Sequence, residues 1–486
     1  MSQSISTLEP QSLWSNFAAL NAVPRASKKE ERVIQFMVDF GQDLGLDTAT
    51  DEIGNVIIKK PATAGMEDRQ TIVMQSHLDM VHQKNGDTQF DFDTEGIKML
   101  IDGDWVKADG TTLGADNGIG VATIMAILAS KDLVHPAIEA LFTIDEETGM
   151  TGALGLKGGL LTGTILLNLD TEDDRELTIG CAGGVDISAT GRYQEVNVPD
   201  DYSTYKLMVK GLTGGHSGMD IHLGRGNANK LMNRMLTTLS NHVRMLVTTI
   251  DGGGLRNAIP RESFTILSIP TSESSKLEAI TADYQAILKQ EYGTTDPDIE
   301  LTLDSHSKVS RAAAPDFVKQ FFRSAYACPN GIYRMSPEIE DLVQTSNNLA
   351  RVLLQEGRYE MLCLTRSSVD SEKADLQMAI KSTFELIGAE VSTGGAYPGW
   401  APKPTAPIIA LMSDTYSRLF NEKPHVNACH AGLECGIIGT NYPDMDMISF
   451  GPNIRGAHSP DEKVQISSVQ KYWGYLLEVL KEIPKK

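Results

Sequence analysis

The sequence predicts an α/β fold: a mostly parallel sheet covered by helices, interrupted by a large inserted α+β domain. Three observations lead there. Within residues 1–184, apolar runs of strand length alternate with helical patterns, the rhythm of parallel strands joined by crossover helices. Residues 185–399 change to a strand–strand–helix order, and residues 400–486 return to the first rhythm. At 486 residues the chain is also too long for one hydrophobic core. The expected division is therefore one domain built from 1–184 and 400–486, with 185–399 inserted into it.

Taken in order, Ser27-Lys28-Lys29-Glu30 has the spacing of a capping box. Val33, Ile34, Met37, Val38 and Phe40 follow at helical spacing, and Gly45 is placed to close the helix. Strands are expected at 71–74, 140–144 and 164–169, with an apolar helix over 119–129 between the first two. These strands lead into His77 and Asp79, into Glu146 and Glu147, and into Asp170. Ligands of open α/β sheets bind beyond the carboxyl ends of the strands, where these residues fall.

The middle of the chain predicts strands at 205–210, 244–250 and 263–269, a helix over 276–288 and a strand at 299–303. A similar order returns from Thr345 through Tyr359 to a helix beginning near Ser371, which suggests an internal duplication. The Gly- and Pro-rich segment 394–404 reads as a linker back to the first domain. An amphipathic helix over 469–480 ends the pattern.

Composition excludes several roles. A net charge of −21 disfavours nucleic acid and anionic membrane surfaces, both of which recruit Lys and Arg. No apolar run reaches the ~18 residues of a membrane span. The first ten residues lack the basic start and apolar core of a signal peptide. Five cysteines, an odd number with no C-x-x-C pair, argue against a disulfide framework and for a cytoplasmic location.

Five short motifs carry chemistry. Ser76-His77-Leu78-Asp79-Met80 pairs a metal-ligand type with a carboxylate that can orient its ring, since alternate residues of an extended segment point the same way. In Gly114-Ala115-Asp116-Asn117-Gly118, Asp116 sits in a tight turn before a helix; taken alone, an N-cap explains it equally well. Asp145-Glu146-Glu147 crowds like charges that a cation would relieve, although a solvated acidic loop has the same sequence. Asn168-Leu169-Asp170 and Gly456-Ala457-His458-Ser459-Pro460 complete the set. Together they offer two histidines and several carboxylates, suited to two Zn²⁺ ions sharing one carboxylate.

In this order the motifs resemble the zinc aminoacylase/carboxypeptidase superfamily, and within it the aminoacyl-histidine (carnosinase-like) dipeptidases. The resemblance implies a metallopeptidase catalytic domain bearing an inserted lid. It implies that His77 and Asp170 hold one zinc, Glu147 and His458 the other, and that Asp116 bridges them; Co²⁺ or Mn²⁺ can substitute. Asp79 would orient His77, and Glu146 would be the general base for a metal-activated water. A cis peptide between Asp116 and Asn117 is also implied.

In the lid, the resemblance makes His216 of Gly214-Gly215-His216-Ser217-Gly218 a donor to the developing oxyanion. Asn257 and Gly432 would contact the substrate backbone, and Arg366 its carboxylate. A turn histidine, a loop asparagine and a surface arginine are the plain alternatives. The expected reaction is hydrolysis of Xaa-His dipeptides such as β-alanyl-histidine, with a tripeptidase or an N-acyl-amino-acid hydrolase as the alternative. A homodimer formed through the lid stays open, as does His430. His82, His135, His222, His242, His306 and His425 have no comparable context.

Overall fold

The structure, a computed structural model, describes residues 5–486; residues 1–4, the start of the stretch read above as lacking a signal peptide, lie outside the described residues. The chain forms two compact units. The first runs to Gly180 and resumes over Trp400–Ala428 and Leu433–Lys486; the second is Cys181–Gly399 with a short return, Cys429–Gly432.

The first unit is built on an eight-stranded sheet, in the order Asp47–Thr50, Val56–Lys60, Ile138–Thr143, Ile72–His77, Ile165–Asn168, Asp446–Ser449, Glu176–Cys181 and His425–Cys429. Its four central strands, from Ile138–Thr143 to Asp446–Ser449, are parallel. Antiparallel pairs flank them. Ile72–His77, Ile138–Thr143 and Ile165–Asn168 are buried along their whole length, which is why each carries a short apolar run, at 72–74, 140–142 and 165–167. The helix Ala115–Ala129 runs so close to them that a Cβ on Gly120 would collide with Ser76 Oγ and lie 2.8 Å from the Leu169 carbonyl oxygen. Only glycine permits that approach.

The expected capping box does not form. The helix starts at Glu31 and runs to Asp43 without a side-chain cap. Ser27 instead donates to Asp79 Oδ2 at 2.8 Å, and the Glu30 carboxylate accepts the amides of Lys28 and Asp145. Tertiary partners have displaced the local motif. Gly45 closes the helix as expected, with φ 70° and its N–H on the Gln42 carbonyl.

The second unit is a nine-stranded sheet made of two like halves. Tyr202–Lys210, helix Ala228–Ser240, Leu246–Gly253, Ser263–Pro270, helix Ser274–Tyr292 and Glu300–His306 form a βαββαβ unit with strand order 4-1-3-2. Gly183–Arg192, helix Pro315–Ala327, Val343–Gln355, Arg358–Ser367, helix Asp370–Glu385 and Glu390–Tyr397 repeat that order. The second strands of the two halves pair antiparallel, from Ile250↔Leu354 to Gly253↔Arg351. The duplication is thus longer than the sequence suggested, and the first half is inserted after the opening strand of the second. Gly331–Met335 adds the ninth strand.

One expectation here is corrected. Gly394–Tyr397 is no linker: it belongs to strand Glu390–Tyr397, paired with Gly183–Arg192, and the glycines serve a register shift before Tyr397, with Gly395 at φ 56°. Among the described residues no helix is long and apolar enough to cross a membrane. Among the described residues no cysteine forms a disulfide.

Candidate metal centre

The carboxyl ends of the parallel strands in the first unit converge on one cluster. His77 ends its strand; Glu146 and Glu147 follow Ile138–Thr143, and Asp170 follows Ile165–Asn168. Asp116 stands in the first turn of helix Ala115–Ala129, and the Asp116–Asn117 peptide is cis, as the resemblance implied. His458 comes from the loop between Ile454–Arg455 and Lys463–Gln465.

His77 Nε2 lies 3.2 Å from Asp116 Oδ1 and 3.5 Å from Asp170 Oδ1. His458 Nε2 lies 3.2 Å from Asp116 Oδ2 and 2.8 Å from Glu147 Oε2. Asp116 therefore offers one oxygen to each of two groups: His77–Asp116–Asp170 and Asp116–Glu147–His458. Four ligands at bond lengths of about 2.0 Å around one ion stand about 3.3 Å apart in a tetrahedron, which these separations approach. Two further observations fit a cation. Glu147 Oε1 and Asp170 Oδ1 are buried without a hydrogen-bond partner. The carboxylates of Asp116, Glu147 and Asp170, together with Glu146, also carry the negative charge that two divalent ions balance.

The ring of His77 is fixed from behind. Its Nδ1 faces Asp79 Oδ1 at 3.3 Å and the Asp79 carbonyl at 3.1 Å, leaving Nε2 for the cluster. Asp79 in turn accepts the amides of Glu146 and Glu147 and the Ser27 hydroxyl. Burial works against its charge, yet these donors and His77 hold its pKa down to about 2. The two adjacent glutamates divide the work: Glu147 meets His458, whereas no hydrogen bond or ion pair engages the Glu146 carboxylate among the described residues.

Without cations the electrostatics are unbalanced. Burial drives the Glu146 pKa well above its ordinary value, reinforced by Asp170, Glu434 and Glu147. Burial also raises Glu147 and Asp170, with Asp116 adding to both. His77, which burial alone would hold neutral, is pushed well up by Asp170, Asp116 and Asp79. His458 rises to about 11 through its hydrogen bonds to Asp116 and Glu147. These shifts mark a buried excess of negative charge, the kind a divalent cation balances.

Sequence reasoning missed the supports beneath this cluster. Glu434 is completely buried and accepts Gln75 Nε2 and Thr143 Oγ1, each at 2.6 Å, while Gln75 Oε1 accepts Asn168 Nδ2. Gln75 and Asn168 each stand two residues before a cluster residue, so the period of a strand puts them under His77 and Asp170. Burial raises the Glu434 pKa to about 8. Arg25 and Glu462 are likewise buried charges that grip the turn before Asp116. Their strand-end neighbours were the available signal; their own sequence contexts resemble surface charges.

In the second unit, His216, Arg366 and His430 come together. His216 Nδ1 accepts the amides of Gly218 and Met219 at 3.2 and 3.0 Å, which leaves the ring proton on Nε2 as a donor. Arg366 Nη2 stands 3.5 Å from that Nε2, and Arg366 Nη1 donates to Tyr397 Oη at 3.0 Å. Arg366 is buried rather than a surface arginine, and its Nε has no hydrogen-bond partner among the described residues. His430, which was left open above, is buried against Ser346 Oγ at 2.7 Å; burial and Arg366 lower its pKa to about 3. Gly432 lies two residues on, in the Cys429–Gly432 return. Asn257 is exposed, and its carbonyl accepts the Ser217 amide, anchoring the His216 loop.

A model of peptidase family M20/M25/M40 matches residues 73–482. The chain is 45% identical over 482 residues to the cytosol non-specific dipeptidase of Escherichia coli (strain K12), covering 99% of each chain. The crystal structure of aminoacylhistidine dipeptidase from Vibrio alginolyticus is similar with a TM-score of 0.92 at 45% identity, over 100% of this chain and 99% of that one. Aminopeptidase PepT from Bacillus cereus shares the fold at 15% identity, with a TM-score of 0.54 over 98% of this chain and 99% of that one.

Proposed function

The chain belongs to peptidase family M20/M25/M40, and from that premise we propose that it is a dizinc dipeptidase that hydrolyses Xaa-His dipeptides such as β-alanyl-histidine. The observation that carries the reading is the split carboxylate of Asp116, with one oxygen toward His77 and the other toward His458. His77 and Asp170 would hold one ion, Glu147 and His458 the other, with Asp116 between. When bound, such ions polarise the scissile carbonyl and acidify water.

The remaining work falls to the chain. Glu146, whose carboxylate has no hydrogen bond or ion pair among the described residues, takes the proton of the attacking water at an oxygen and delivers it to the leaving amine. Asp79 keeps His77 in one tautomer and holds the Glu146 and Glu147 amides in place. His216, with its proton on Nε2, donates to the oxygen that gains charge. Arg366 pairs the free carboxylate of the dipeptide, and Asn257 and Gly432 contact its backbone. Residues 185–399 act as the lid. The location carried over from the Escherichia coli relative is the cytosol.

The two relatives are named for different breadths, one non-specific and one aminoacylhistidine. The test is hydrolysis by zinc-loaded enzyme of β-alanyl-histidine, a panel of Xaa-His and Xaa-Xaa dipeptides, a tripeptide and an N-acetylated amino acid. Dipeptide cleavage with Xaa-His in the leading group supports the proposal. Equal rates across all dipeptides would replace the Xaa-His preference with a general one, and preference for the tripeptide or acetyl substrate would overturn the dipeptidase reading.

A further inference from the structure

We propose that Glu462 is a positioning residue that ties the His458 loop to the bridging Asp116, so that binding of the ion at Glu147 and His458 depends on it. The proposal rests on the metal-centre reading above.

Glu462 lies four residues after His458, and its side chain is buried. Its carboxylate accepts four consecutive amides. Oε2 takes Leu113 and Gly114 at 2.7 and 2.9 Å; Oε1 takes Ala115 and Asp116 at 2.7 and 3.2 Å. These are the donors around the start of helix Ala115–Ala129, which otherwise lack intrahelical partners. From the other side, Arg25 Nη2 donates to the Gly114 carbonyl at 2.6 Å, and Arg25 Nη1 to the carbonyls of Leu78 and Asp79 at 3.0 and 3.1 Å. Two buried charges of opposite sign thus clamp the turn that aims Asp116. The Arg25 arm of the clamp is anchored beside His77, at the Leu78 and Asp79 carbonyls, and the Glu462 arm beside His458.

The two halves of the cluster are not equally braced. The His77 side chain is 1% exposed, ends a buried strand and is backed by Asp79. The His458 side chain is 55% exposed and sits in a loop at φ 63°. That loop closes mainly on itself, through Ser459 Oγ to the Gly456 carbonyl and the Glu462 amide to the Ser459 carbonyl. Beside the His458–Asp116 contact itself, the Glu462 side chain ties the loop to the Asp116 turn across 346 residues of sequence. Loss of that link falls on the His458 side.

The test is Glu462→Gln, which keeps the size but turns an amide NH₂ toward backbone N–H donors. Chelator-stripped wild type and variant are titrated with Co²⁺, read by visible absorption and calorimetry, and kcat is measured against zinc concentration. The expected result is two bound ions in the wild type. In the variant one ion binds about 10- to 100-fold more weakly, the usual effect of removing such a support, while the other binds as before. Activity should return at high zinc with KM unchanged. Glu462→Asp, which keeps the charge, should fall between the two, and it decides the matter if Glu462→Gln does not fold. A merely structural role lowers the Tm of the variants and leaves both Co²⁺ steps at wild-type affinity, which overturns the proposal. Fewer than two ions in the wild type would instead overturn the dinuclear reading on which it stands.

Discussion

Replacing Glu146 by Gln separates proton transfer from metal binding. The Glu146 carboxylate engages no hydrogen bond or ion pair among the described residues, and its backbone amide keeps its bond to Asp79 Oδ1 at 3.1 Å. The substitution therefore removes a base without removing a hydrogen bond or ion pair, and Asp116, Asp170 and Glu147, which meet His77 and His458, are untouched. Loss of a general base lowers kcat by about 10²- to 10⁴-fold. That is about 3 to 5.5 kcal/mol of activation free energy, with KM little changed. Stability should move the other way in metal-free protein. Burial, with Asp170, Glu434 and Glu147, lifts the Glu146 pKa well above the ordinary 4.5. A carboxyl group raised on folding costs nothing at acid pH, where both states are protonated. It destabilises progressively as pH rises from the unfolded value toward the folded one. Glutamine does not titrate, so the stripped variant should melt above the stripped wild type from about pH 5 upward, with the gap widening. Steady-state kinetics on the metal-saturated variant and thermal melts of the stripped proteins across pH read the two effects. A kcat within about threefold of wild type, with both ions bound, would remove Glu146 from the proton transfer.

Three further outcomes are expected. Asp79→Asn replaces an acceptor facing His77 Nδ1 and the Glu146 and Glu147 amides, and should weaken metal binding about 10- to 100-fold in a Co²⁺ titration. His216→Ala should lower kcat about 10²- to 10³-fold with metal content unchanged and a smaller change in KM; kinetics on the metallated variant read this. Glu434, raised to about 8 chiefly by burial, should cost the metal-free protein stability as pH climbs from about 4.5 to 8. Glu434→Gln should flatten that slope in pH-dependent melts, and an unchanged slope refutes the assignment.

The fold was legible because three of its four central strands are buried throughout and carry short apolar runs that lead into His77, into Glu146 and Glu147, and into Asp170. The cluster residues were legible because strand ends fix where they point. The duplication was visible only in part: its second half has the first half inserted after strand Gly183–Arg192, which hides the repeat. Ser27 and Glu30 misled because a four-residue motif carries no information about Asp79 or Asp145, the partners that claim them. Arg25, Glu434 and Glu462 were missed for the same reason. Each is a charge that looks solvated in sequence and becomes buried only because partners far along the chain satisfy it. The glycines near 395 signalled irregular backbone correctly, but the irregularity is a shift within a strand.

The central claim is that dipeptide hydrolysis runs on a pair of divalent ions held by His77, Asp116, Glu147, Asp170 and His458. Its most direct test is the rate of β-alanyl-histidine hydrolysis by chelator-stripped enzyme as zinc is added back in measured equivalents. Activity should be negligible without metal and rise to a plateau at two equivalents per chain. Full activity in the stripped enzyme, or none of the dipeptides cleaved with two ions bound, would contradict it.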